Sequence, residues 1–166
     1  QQGDGLRVQR HPRSCHATPS VTTTTLPRMA RWDKPTIEGA LVLLRPLAAD
    51  DADAVWEMVN DPEGKDLRRD FEHEQIAAWC ASRATADERL DLAIVERATG
   101  TFAGEVVLNE FDASANSANF RISLRGPAWY GRGLGGEATQ LIVRHGLEVV
   151  GLDRITLTVL AETLGR

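Results

Sequence analysis

The chain has 166 residues, 42% hydrophobic and 26% charged, a globular balance about one domain long that excludes collagen-like, wholly disordered and repeat-only chains. No apolar run approaches the roughly 18 residues of a membrane span, no export signal opens the chain, and Cys15 and Cys80 lack disulfide-framework or metal-ligand spacing, so a reducing cytoplasm is expected and a metal is not. The formal net charge is −5, with Arg7, Arg10, Arg13 and Arg28 against Asp4 concentrating basic charge near the start; the acidic remainder argues against nucleic acid and suits cationic partners.

In chain order, residues 1–30 are rich in Gly, Pro, Ser and Thr without apolar periodicity and read as a disordered tail. Met29 then reads as an alternative translation start. The folded domain is expected over residues 37–166. Ala40 to Pro46 predicts a strand, and Ala52, Val55, Trp56 and Val59 follow at helical spacing after Asp50-Asp51. A charge-dense loop from Asp61 to Glu72, carrying Lys65, Arg68, Arg69 and Asp70, leads to a second helical pattern with Ile76, Ala77, Trp79 and Cys80. Three strand-like runs come next, Leu90 to Glu96, Thr101 to Glu110 and Ala118 to Leu124, with short turn signals between them that imply antiparallel hairpins. A long helix runs to about Val150, Gly151 is placed to cap it, and Arg154 to Leu160 alternates as a strand. The order β-α-α-β-β-β-α-β predicts an α/β fold with a mixed sheet: an antiparallel meander plus one parallel β-α-β unit.

The most informative segment is Tyr130-Gly131-Arg132-Gly133-Leu134-Gly135-Gly136 at the entry to the long helix. Small residues there free several backbone N–H groups to converge on an anion, and the helix dipole favours negative charge. Arg132 adds a mobile positive charge, and Glu137 complements the dipole. A flexible loop and helix cap is the plain structural alternative. A P-loop is excluded because Glu137-Ala138 follows Gly136 where Lys-Ser/Thr is needed. The dinucleotide pattern G-x-G-x-x-G is met literally, and Glu162 falls after the next strand, but Arg125 to Tyr130 separate the glycines from the preceding strand and one strand alone follows.

The run Arg125-Gly-Pro-Ala-Trp-Tyr-Gly-Arg-Gly-Leu-Gly-Gly-Glu-Ala-Thr, the helix after it, and Gly151-Leu152-Asp153-Arg154-Ile155 resemble the coenzyme-A site of the GNAT superfamily of N-acyltransferases, most of all its RimJ/RimL-like branch. The family signature Q/R-x-x-G-x-G/A is matched at Gly133 and Gly135, with Tyr130 in place of the opening Gln or Arg. The resemblance spans about residues 37–162. It implies acetyl-CoA as cosubstrate, its pyrophosphate on Gly131, Arg132, Gly133, Leu134, Gly135 and Gly136, and its pantetheine arm along the backbone of Ile122, Ser123 and Leu124. It implies an N-acetyltransferase acting by direct attack of a primary amine, whether a protein N-terminus or a small molecule. Self-association as a homodimer is left open. A non-catalytic acyl-CoA-binding module is the second reading, and a dinucleotide-dependent oxidoreductase the third.

For the base, the candidates are Glu105 and Glu110 on the second meander strand, acting directly or through water, with a solvated strand-end glutamate as the alternative for Glu110. Asn119 stands where relatives often carry Glu and is a candidate for orienting a water or the acceptor. Ser123 has no visible His/Asp partner for a nucleophilic role. Trp129 is placed either to wall the cofactor entrance or to pack in the core. Relatives continue past the last strand with another helix and two more strands, where a tyrosine often protonates the thiolate. A chain ending at Arg166 is therefore expected to lack those elements, to aggregate readily and to turn over weakly.

Overall fold

The computed structural model describes residues 32–61 and 71–157. The tail expected over residues 1–30, the loop carrying Lys65, Arg68, Arg69 and Asp70, and the end of the chain with Glu162 lie outside the described residues. Among the described residues six strands form one sheet in sequence order: β1 (Ile37–Glu38), β2 (Val42–Pro46), β3 (Leu90–Glu96), β4 (Thr101–Asp112), β5 (Ser117–Leu124) and β6 (Arg154–Leu157). All neighbouring pairs are antiparallel except β5 and β6, which run parallel. Helices α1 (Ala52–Val59) and α2 (His73–Arg83) follow β2, and α3 (Leu134–Glu148) connects β5 to β6. The mixed-sheet expectation is met.

The strand expected from Ala40 begins at Val42 instead. Gly39 to Leu41 form a turn, closed by the Gly39 N–H donating to the Val42 carbonyl at 2.8 Å, and Ile37–Glu38 adds a short first strand. Two residues are too few to leave a periodic signal. Helix α1 buries Ala52, Val55 and Met58, whereas Trp56 is exposed and donates its indole N–H to the Phe71 carbonyl at 2.9 Å. At the start of α1 the buried Asp51 carboxylate accepts a two-pronged contact from Arg45 of β2, at 2.8 and 2.6 Å, and the Ala48 N–H at 2.9 Å. Gly151 caps the end of α3 with φ +75°, as the sequence predicts.

The pleat sorts residues onto two faces. Leu90, Leu92 and Ile94 of β3, Val106 and Leu108 of β4, and Ala118 and Phe120 of β5 pack with Leu134, Ala138 and Ile142 of α3. On the opposite face Ala93, Val95 and Phe102 pack with Val55, Met58, Ile76 and Cys80 of α1 and α2. At roughly 25 cal/mol per Å² of buried apolar surface, these two layers are the main source of stability. Beside this second layer β5 carries Asn119, Arg121 and Ser123, in register with Asn109, Val107 and Glu105 of β4. That asymmetry positions the site.

Candidate active site at the open end of β5

Between β5 and α3 the chain makes a short 3₁₀ turn at Pro127–Trp129, then passes Gly131 at φ +70° and Gly133 at φ +81°. Both conformations are strained for residues with a β-carbon, so glycine permits the double reversal that starts α3. The first bond at this helix start runs from the Glu137 N–H to the Gly133 carbonyl, 3.1 Å. Among the described residues, none of the N–H groups from Gly131 to Gly136 has an acceptor. A β-carbon added at Gly131 or Gly136 would meet nothing within 4 Å, while one at Gly135 would touch Leu124 Cδ1 at 3.4 Å and Ile122 Cδ1 at 3.6 Å. The loop is thus an open amide cradle above the end of β5, and it fits a pyrophosphate.

Below it, the described pairing of β5 with β6 ends at Phe120↔Leu157, whereas β5 stays paired with β4 as far as Gly104↔Leu124. The Arg125 N–H continues that ladder to the Ala103 carbonyl at 2.9 Å. Antiparallel alternation then turns the backbone groups of Ser123 toward β4 and those of Ile122 and Leu124 away from it. Of the three residues expected to meet a cofactor arm, two therefore turn their N–H and C=O groups to an edge that no strand pairs among the described residues. An extended ligand can add there as a strand would.

Two charged residues of this segment make contacts that residue spacing does not show. Arg132 pairs with Glu96 at the end of β3 and lies over the Trp129 ring, 5.0 Å from its centroid, so its charge faces the β3–β4 turn. Glu137 accepts the N–H groups of Ala40, Leu41 and Val42 at 2.8, 2.7 and 2.8 Å. Desolvation opposes its ionisation, yet these three donors hold the carboxyl below its usual range. It complements the dipole and also fastens α3 to the β1–β2 turn.

The candidate catalytic residues are spread along the sheet. Glu105 is buried at 7% exposure, opposite Ala93 on β3 and Ser123 on β5, on the α1–α2 face. Burial pushes its pKa up to about 6 against partial compensation from Arg121, whose guanidinium lies 3.9 Å away. Its Oε2 has no hydrogen-bond partner among the described residues. Asp91, on the same face, is fully buried and held by Arg89 at 2.6 and 2.7 Å. Asn119 faces Asn109 and donates to its Oδ1 at 3.4 Å, about 13 Å further along β4 from Glu105 at four strand residues. Glu110 is exposed, at φ +52°, in the irregularity that separates Asn109 from Asp112. Glu105 thus lies beside the open part of β5, Asn119 within the part paired to β6, and Glu110 beyond it. Arg121, Asp91 and Glu96 carry no motif signal; the strand register alone brings them to the site.

The sequence model described as "Acetyltransferase (GNAT) domain" matches residues 42–164, which include the amide cradle and the open edge. The chain belongs to this family. It is an acyltransferase, and GNAT acetyltransferases use acetyl-CoA. Among solved structures, a Vibrio cholerae protein called a ribosomal-protein-serine acetyltransferase is 21% identical with a TM-score of 0.67, covering 80% of this chain and 78% of that one. A GNAT-family acetyltransferase from Bacillus anthracis is 19% identical with a TM-score of 0.68, covering 78% and 76%. A spermidine N-acetyltransferase chimera, part Vibrio cholerae, is 17% identical with a TM-score of 0.65, covering 75% and 74%. These likenesses show the fold. No curated protein sequence matches. The sheet, with one parallel pair in six sequential strands, differs from the open parallel sheet of a dinucleotide fold. Among the described residues no group of three or more His, Cys, Asp or Glu is disposed to hold a metal, and no helix is long and apolar enough to cross a membrane.

Proposed function

We propose that the protein moves the acetyl group of acetyl-CoA to a primary amine, by direct attack, with the amide cradle and the open edge of β5 holding the cosubstrate and Glu105 acting as general base. The observation that carries the reading is the juxtaposition of six amides and a buried carboxyl oxygen that have no partner among the described residues with the outward backbone groups of Ile122 and Leu124. Acetyl-CoA supplies an activated acyl group whose thiol leaves without a covalent enzyme intermediate.

The cradle amides and the positive end of α3 neutralise the pyrophosphate, and Ile122 and Leu124 orient the extended arm. Burial raises the Glu105 pKa to about 6, so the carboxylate is ionised at neutral pH and a better acceptor for the amine's proton than an exposed glutamate, directly or through water. Arg121 steadies the carboxylate without burying it in a tight pair. The freed amine attacks the thioester carbonyl, the outward N–H groups of β5 meet the developing oxyanion, and collapse breaks the C–S bond as the new amide nitrogen gives up its extra proton and the departing thiolate takes one up. The polar face bearing Asn119, Arg121 and Ser123 is where the acceptor enters, and Asn119 orients it there. A protein N-terminus in the manner of the RimJ/RimL-like branch and a small-molecule amine both suit this face. The buried free thiol of Cys80 fits the reducing cytoplasm.

Mass spectrometry of an amine panel with acetyl-CoA tests the proposal. A mass gain of one acetyl group on a peptide N-terminus or polyamine is expected, and acetyl-CoA binding without transfer to any amine would reduce the protein to a binding module.

A further inference from the structure

Arg132 sits between the two positive-φ glycines of the cradle, where a phosphate's counter-ion is ordinarily sought. Its side chain goes elsewhere. Glu96, the last residue of β3, is 8% exposed and uses its two oxygens separately: Oε1 takes Arg132, and Oε2 accepts the Thr99 hydroxyl at 2.8 Å. Withdrawing Arg132 to a phosphate leaves this nearly buried carboxylate without its cation, a desolvated charge whose cost offsets the new contact. Trp129, at the other end of the loop, supports the guanidinium face.

The tie belongs to a larger arrangement. Glu137 fixes the start of α3 to the β1–β2 turn, and Arg97 joins that turn to the β3–β4 turn through its N–H to the Leu41 carbonyl at 2.9 Å and its Nη1 to the Gly39 carbonyl at 2.5 Å. The loop is therefore tied to two neighbouring turns that are themselves linked. A segment with glycines at 131, 133, 135 and 136 loses much conformational entropy on becoming ordered, and ties formed before the ligand arrives remove that cost from binding.

We propose that Glu96 is a positioning residue of the acyl-CoA site: by holding Arg132 it keeps the amide cradle convergent, and Arg132 serves as the loop's tie instead of a phosphate ligand. This rests on reading the loop as the acyl-CoA site. The two roles of Arg132 predict opposite behaviour for Glu96. If Arg132 is a tie, Glu96→Gln and Arg132→Gln each weaken acetyl-CoA binding by about ten-fold, and the double variant is no weaker than either single, because one coupled contact is lost once. If Arg132 is a phosphate ligand, Glu96→Gln releases it and binding is unchanged or tighter.

Isothermal titration of acetyl-CoA into the full chain and its three variants distinguishes these. Steady-state kinetics add a KM for acetyl-CoA that rises with kcat at saturation unchanged, which general loss of structure does not produce. Thr99→Val, which removes only the hydroxyl on Glu96, is expected to give a smaller loss in the same direction and serves if Glu96→Gln melts early. Unchanged or tighter binding by Glu96→Gln, or additive losses in the double variant, would overturn the inference. Absence of acetyl-CoA binding by the unaltered chain would instead overturn the site on which it rests.

Discussion

The two faces of the sheet meet the open end of β5 with different materials. On the α3 side the site is made of backbone: glycine amides, a helix start and the outward groups of Ile122 and Leu124, all from one stretch between residues 122 and 136. On the α1–α2 side it is made of side chains, Asp91, Glu105 and Arg121, brought from three strands by register. A backbone cradle recognises a constant ligand and tolerates changes in side chains, provided φ is permitted. A buried carboxylate depends on its whole surroundings for its protonation state. On the proposed function, binding and chemistry are thus separable.

The strongest way to break this comparison is Glu105→Gln. It is expected to lower kcat by about 10²- to 10³-fold, the usual worth of a general base, with little change in acetyl-CoA affinity. Equal loss of affinity would merge the two faces into one unit. Next comes Gly133→Val, which forces a β-branched residue to φ +81° with its β-carbon 3.2 Å from Leu41 Cδ1. Strain of this kind is worth roughly 1–3 kcal/mol, so acetyl-CoA affinity should fall about ten-fold or more by titration, with kcat at saturation preserved.

The pH dependence sharpens the same division. As the pH falls through about 6, Glu105 takes up its proton, so kcat/KM for the amine should fall about ten-fold per unit, and a variant without this carboxyl should lose that limb. Stability moves oppositely. The folded-state pKa is raised from 4.5 to about 6, so between these values the folded form binds more protons than the unfolded chain and stability declines as pH rises. The full change is about 2 kcal/mol at 1.36 kcal/mol per unit. Glu105→Gln is therefore expected to be slower yet more stable at neutral pH, measurable by urea denaturation, and a destabilised variant would show that the carboxylate serves the fold. Smallest is Glu110→Gln, exposed in the β4 irregularity, expected to change kcat less than about two-fold.

Residue spacing alone revealed much of the backbone half. Alternation in β3 to β6, the helical stripe of α3 and the glycines before it each report a local rule, so the strand order and cradle follow from neighbours in sequence. Glu105 and Glu110 were indistinguishable because they differ in register and burial, which depend on a bulge and on partners far along the chain. Arg132 read as a free cation for a related reason: its partner, Glu96, is 36 residues away at the end of another strand. The strand β1 leaves no signature because two residues show no period; it pairs with β2, and the turn between them is held by Glu137 and Arg97.

The central claim is that one cosubstrate lies across the cradle and the open edge. Backbone amide shifts recorded by NMR while acetyl-CoA is titrated into the protein test it most directly. The largest changes should fall on Gly131 to Gly136 and on Ile122 and Leu124, with Glu110 and the α1 amides nearly unmoved. Binding that shifts a different surface, or no binding at millimolar acetyl-CoA, would contradict the account.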